Sequence, residues 1–366
     1  NIFGIRFQPS EFAKPILILS MSFLFEKYND CLLNYQYENL PLGLMNGEMG
    51  LCVYWFLQGK VFSNKVYMKH AMNIFMHVCE RIGQGTNVGS DNNLVGVGFG
   101  VSLLVDRGYI RADLNDLLHE IDEKIFQFIY YGYICNKKKA NSDYVSFLWC
   151  LIYLCSRLEH GAGSKKDGVL YKHLLVEGIN NIEENMRDES FQEPISFSPY
   201  SFFLPLYIRL LNHAYVLNIH SDKIRMIFKE LEPKICSNIP FNEGNRIVLY
   251  GEIAQMLQIL DEGTLKQRII RHKDILQKSL DVKSYIHNGL RSKQLLINNG
   301  LSGLLLYIKS NHCCVNLMPN QKEIEEKLKS SPIIASMVLD EHILNTDVSL
   351  ATGITGVIYT YEYCYW

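Results

Sequence analysis

The stretch Gly300-Leu301-Ser302-Gly303-Leu304-Leu305-Leu306-Tyr307-Ile308 decides how the chain is read. Two glycines three residues apart open a run that is apolar on every side. The same arrangement returns at Gly353-Ile354-Thr355-Gly356 before Val357 to Tyr361, and at Gly47-Glu48-Met49-Gly50 before Leu51 to Leu57. A fourth copy is Asn93-Leu94-Val95-Gly96, continuing through Gly98 and Gly100 to Val105. A fifth is read at Gly251-Glu252-Ile253-Ala254, before Gln255 to Leu260. Ser146 to Trp149 and Ser201 to Leu204 complete the set on spacing more than on residues. The starts fall at 47, 93, 146, 201, 251, 300 and 353, with gaps of 46 to 55 residues. Self-similarity at such a period is the signature of a repeat architecture.

Amphipathic segments lie between these runs. Tyr67, Ala71, Ile74, Phe75, Val78 and Ile82 share one helical face, as do Leu114, Leu117, Leu118, Ile121, Ile125 and Phe128. Asp113 stands where an N-cap is expected. Ile224, Ile227, Phe228, Leu231 and Ile235 form a third stripe. Segments 10–28, 168–186, 264–280 and 321–329 are further candidates. A helix apolar all round belongs inside, and an amphipathic one outside it. One such hairpin cannot bury its inner face, so neighbours must stack. The pattern predicts seven inner and seven outer helices in an all-α ring forming one domain over residues 1–366. It begins on an outer helix and ends on an inner one, so that its ends can meet. The small residues are expected to let neighbouring inner helices approach closely and to tolerate unusual backbone angles.

Composition narrows the function classes. Thirty-six basic against 38 acidic residues leave a net charge of −2, which gives no pull toward nucleic acid or anionic membranes. No run reaches the roughly 18 apolar residues of a membrane span. The apolar stretch 15–25 continues into Glu26-Lys27 and reads as a packed helix rather than a leader. Ten cysteines, mostly inside apolar stretches and without a CxxC pair, point to a reducing, cytoplasmic setting. No phosphate-binding glycine loop and no Gly-x-Ser-x-Gly elbow is present.

On the seven in-register repeats the sequence resembles the lanthionine synthetase C-like (LanC-like) family over residues 10–366. The stretch from Asn93 to Ile110 resembles its Bacteroidetes-type members. The resemblance implies a double-layered α/α toroid of seven helical hairpins, related to six-hairpin glycosidase-like toroids. It also implies cyclisation of dehydrated peptides by a thiolate held on zinc by two cysteines and a histidine. Matched residue by residue, Leu249 takes the place of the first cysteine, and Asn298 and Asn299 take the place of the Cys-His pair. Ser198-Pro199-Tyr200 stands where family enzymes carry a further histidine. Leucine cannot ligate zinc and asparagine does so poorly, so the expectation is no metal and no other cofactor. The cluster His312-Cys313-Cys314 is expected at a helix end away from the ring's mouth.

The residues expected at that mouth are Asn46, Glu48, Asn93, Tyr200, Tyr250, Glu252, Asn298 and Asn299, a concave surface able to hydrogen-bond a ligand. Three readings follow. The first is a zinc-free protein of peptide maturation that binds a peptide substrate or a peptide-modifying enzyme. The second is a carbohydrate-active enzyme using mouth carboxylates such as Glu48 and Glu252, which would have to stand about 5–10 Å apart. The third is a non-catalytic scaffold.

Overall fold

The computed structural model describes residues 25–82, 94–135, 143–161, 165–291, 294–334 and 347–365. The molecule is a double-layered α/α toroid of seven helical hairpins. The inner layer consists of α2 (Glu48–Val61), α4 (Leu94–Asp106), α6 (Tyr144–Glu159), α8 (Phe203–Val216), α10 (Glu243–Ile259), α12 (Leu301–Ser310) and α14 (Ile354–Tyr365). The outer layer consists of α1 (25–32), α3 (Lys65–Ile82), α5 (Leu114–Ile129), α7 (Lys165–Asn185), α9 (Ser221–Ser237), α11 (Thr264–Lys278) and α13 (Gln321–Lys329).

The outer helices bury the stripes their periodicity requires. In α3 the buried residues are Tyr67, Ala71, Ile74, Phe75, Val78 and Ile82, and in α9 they are Ile224, Ile227, Phe228, Leu231 and Ile235. Asp113 caps α5 by accepting from the Asn115 amide at 2.7 Å. Inner helices are buried nearly all round: in α2 every residue from Glu48 to Phe56 is buried.

The paired glycines have a more specific task than close helix approach. A Cβ on Gly47, Gly50, Gly300, Gly303, Gly353 or Gly356 would lie 1.9–2.5 Å from the carbonyl oxygen six residues upstream. The loop before each of these helices folds back across its first turn. Its carbonyls take up amides that a helix start leaves unpaired. Glu48 and Met49 donate to Pro41 and Leu42 (2.8 and 3.1 Å), and Leu301 and Ser302 donate to Gln294 and Leu295 (both 3.0 Å). Gly47 and Gly300 are extended, at φ −144° and −142°, so space and not an unusual angle demands glycine there. Elsewhere a neighbouring inner helix does supply the obstacle. Gly98 lies against the Tyr153 ring, and Gly251 lies against the Tyr307 hydroxyl.

The fifth repeat starts earlier than its sequence suggests. Helix α10 begins at Glu243, and the Asn242 side chain caps it by accepting from Gly244 and Asn245. Gly251 therefore sits mid-helix rather than at the opening. Its small-x-x-small spacing imitates a repeat start because it packs against α12 instead.

Each inner helix packs on the next from α2 to α10, and α12 packs on α14. The Tyr307 hydroxyl of α12 donates to Val248 O of α10 at 2.8 Å. Helix α14 packs on α2 and shuts the ring. At that seam Tyr28 meets Thr355 at 2.8 Å, Phe25 lies edge-on to Tyr361 and the Ala351 amide donates to Met45 O at 2.8 Å. A buried polar chain runs along the same seam. Tyr54 donates to Asn29, Asn29 donates to Gln58, and Gln58 donates to Glu362. Burial pushes the Glu362 carboxyl up to about 8.

Candidate functional site

Among the described residues a cavity lies near each end of the inner helices. At the N-terminal end, the mouth, a pocket of about 220 Å³ is lined by Leu44, Met45, Val95, Phe99, Trp149 and Tyr200, with Gly96 and Ser146 beside them. Its character is apolar and aromatic. The Trp149 indole donates to Tyr200 O at 2.9 Å and Phe99 stands edge-on to Trp149 at 6.1 Å, which fixes the ring planes. Burial pushes the Tyr200 hydroxyl up to about 12, so it enters neutral chemistry only as a protonated phenol.

The second cavity, of about 540 Å³, lies toward the C-terminal ends of α6, α8, α10 and α12. It is polar. Arg209 donates through Nε (3.1 Å) and Nη2 (2.5 Å) to Glu252 Oε1, which also accepts from the Tyr307 hydroxyl at 3.0 Å. His213 Nδ1 lies 2.6 Å from Glu159 Oε1. Asn212, Gln255 and Gln258 complete the polar wall, and Phe99 and Trp149 border this cavity as well as the mouth pocket. The Arg209–Glu252 ion pair holds the guanidinium pKa above its ordinary value although burial pulls the other way.

The residues singled out from sequence divide between several places. Tyr200 lines the mouth pocket. Asn46 lies half-buried on the loop before α2, its Oδ1 enclosed without a partner. Asn298 and Asn299 lie on the turn before α12, the first exposed with its amide donating to Ala351 O, the second half-exposed. Asn93 lies outside the described residues.

Glu48 does not face the mouth. Its carboxylate is wholly buried against α3, where His77 (2.7 Å) and Arg81 bind its two oxygens. Burial raises its pKa against the pull of those two partners. Glu252 and Tyr250 lie mid-helix because α10 starts at Glu243. Glu252 borders the polar cavity, and Tyr250 is buried with Cys314 nearby. Glu48 and Glu252 thus do not line one cavity. Phe99, Trp149, Arg209 and Asn212 were not singled out. Their signal was available for Arg209 and Asn212, since both interrupt an otherwise apolar run from Phe202 to Leu211 and its continuation.

The zinc implied by the resemblance does not fit the residues present. Leu249 is fully buried in the middle of α10. With Gly244 near the helix opening, the residue two before it is Asn242, whose Oδ1 is occupied by helix amides and by the Tyr285 hydroxyl at 3.0 Å. Among the described residues no three His, Cys, Asp or Glu side chains gather as a metal site would require. In the cluster after α12, His312 pairs with Gln258 at 3.2 Å, and Cys314 is buried with its thiol pushed up to about 12.

Compared with known proteins, the chain matches no protein-family model and no curated sequence. A solved structure of nisin cyclase superposes with a TM-score of 0.53 at 13% identity, covering 95% of this chain and 94% of that one. The fold resembles that of nisin cyclase. The likeness spans the whole ring, so the shared element is the toroid itself and not a local motif. At this identity it carries the architecture and leaves the chemistry to the residues described above. Among the described residues no helix is long and apolar enough to cross a membrane.

Proposed function

We propose that the chain is a LanC-like protein of peptide maturation that holds a peptide at its mouth without a zinc-bound thiolate. The observation that carries this reading is the mouth pocket itself. Leu44, Met45, Phe99, Trp149 and Tyr200 form an apolar recess at the N-terminal end of the inner helices, in a toroid of the nisin cyclase type. Such a recess takes one aliphatic or aromatic side chain, and the amide and hydroxyl groups around it orient the backbone. Asn46, on the loop before α2, and Asn298, on the turn before α12, are proposed to hydrogen-bond that backbone. A peptide-modifying enzyme that presents such a peptide is the partner this reading implies.

The reading is tested by titrating the protein with short Ile-, Leu- and Phe-containing peptides, with and without dehydrated serine and threonine, following tryptophan fluorescence. Saturable binding is expected. Trp149→Ala should weaken it at least tenfold, equivalent to about 1.4 kcal/mol. Affinity unchanged in Trp149→Ala, or no binding by the parent protein, overturns it. Chelator treatment should leave the affinity unchanged.

A further inference from the structure

We infer that the polar cavity at the C-terminal ends of α6, α8, α10 and α12 is a second binding site, for a neutral polyhydroxylated small molecule such as a mono- or disaccharide. The inference does not rest on the peptide reading, which concerns the mouth pocket; the two cavities share Phe99 and Trp149. The volume of about 540 Å³ falls within the ~300–1,000 Å³ typical of small-molecule sites.

Charge selects the ligand class. Arg209 is closed on Glu252 and His213 meets Glu159, so each carboxylate on the wall already has a partner. An anionic ligand would face Glu159, Glu252 and the carbonyl ends of four helices, which carry partial negative charge. A cationic one is favoured by those helix ends but would have to lie beside the Arg209 guanidinium, which already occupies Glu252. A neutral ligand meets neither penalty.

The unpaired polar groups select its functional groups. Asn212, 5% exposed, has an Oδ1 with no partner, and Glu252, wholly buried, has an Oε2 with none. Enclosed acceptors of this kind cost free energy until a donor reaches them. No hydrogen bond engages the Gln255 amide, the Ser156 hydroxyl or Arg209 Nη1 among the described residues, and all three side chains border the cavity. The wall therefore offers donors and acceptors together, which hydroxyl groups match because each both donates and accepts. Phe99 and Trp149 add an apolar wall for the carbon face of a ring. Arg209, a fifth exposed, and its partner Glu252 both border the cavity, which puts the ion pair beside a bound hydroxyl.

The experiment is saturation-transfer NMR and thermal-shift titration of the full chain with neutral mono- and disaccharides and alditols, with glutamate, lysine and gluconate as charged controls. At least one neutral compound should bind with a Kd on the order of 1 mM or tighter. Gln255→Ala and Ser156→Ala, neither of which removes an internal hydrogen bond, should each weaken it about fivefold with melting temperature unchanged. Val216 is 68% exposed at the cavity wall, so Val216→Trp should occlude the site without disturbing the core. Three results each overturn the inference. One is no neutral ligand bound. Another is tighter binding of the charged controls. The third is undiminished saccharide binding in both Gln255→Ala and Val216→Trp. Peptide affinity at the mouth, measured in the same variants, separates failure here from failure of the peptide reading.

Discussion

Substituting Gly303 by alanine tests why the paired glycines recur. The new Cβ would lie 2.0 Å from Ile297 O, whereas such contacts below 3.0 Å are essentially never seen. The obstacle is backbone, so the loop before α12 must retreat by about 1 Å. That retreat stretches the bonds from Leu301 to Gln294 and from Ser302 to Leu295, each worth about 1 kcal/mol. Overpacking adds ~1–3 kcal/mol. Alanine returns about 1 kcal/mol through its better helix propensity. The net expectation is a loss of roughly 2–4 kcal/mol. Gly132 is the control, because nothing lies within 4 Å of the Cβ it lacks. Gly132→Ala should be neutral or slightly stabilising. Urea unfolding followed by far-UV circular dichroism measures both, with the m-value checked for constancy. If Gly303→Ala unfolds within about 0.5 kcal/mol of the parent, the loop does not occupy that space and the account of the repeat is wrong.

Two further expectations concern the seam and the thiols. Glu362, with a folded pKa of about 8 against an ordinary carboxyl value when unfolded, binds a proton in the native state that the unfolded chain gives up. Stability therefore falls as pH rises from about 4.5 to about 8, and the penalty is complete above that range. Glu362→Gln should gain stability relative to the parent by on the order of 1–3 kcal/mol between pH 5 and pH 9. Comparing the two pH values cancels any constant cost of the amide, and a flat difference across that interval would refute the assignment. All ten cysteines are unpaired, with Cys135 exposed and Cys52, Cys150, Cys155, Cys314 and Cys364 buried. Ellman's reagent should label Cys135 fastest and leave those five until denaturant is added; rapid native labelling of Cys150 would contradict the packing of α6.

What the sequence determined by itself was the alternation of buried and amphipathic helices and the period that multiplies it. Both are local properties, carried by residues a few positions apart such as the Ile224 to Ile235 stripe, and a hairpin with two apolar faces has to find neighbours. Tertiary structure alone decided where each polar side chain on an inner helix points. A helix buried on all sides has no polar face to orient it, so the direction of Glu48 toward α3 and of Glu252 toward Arg209 is set by neighbours distant in the chain. The same degeneracy hid the true start of α10, because Gly251 opposite Tyr307 and Gly303 opposite Ile297 O look alike in sequence. One gives way to a side chain on the next helix and the other to its own loop. Only the folded ring distinguishes them, and it is the folded ring that brings Trp149, Arg209, Asn212 and Gln255 together around a cavity.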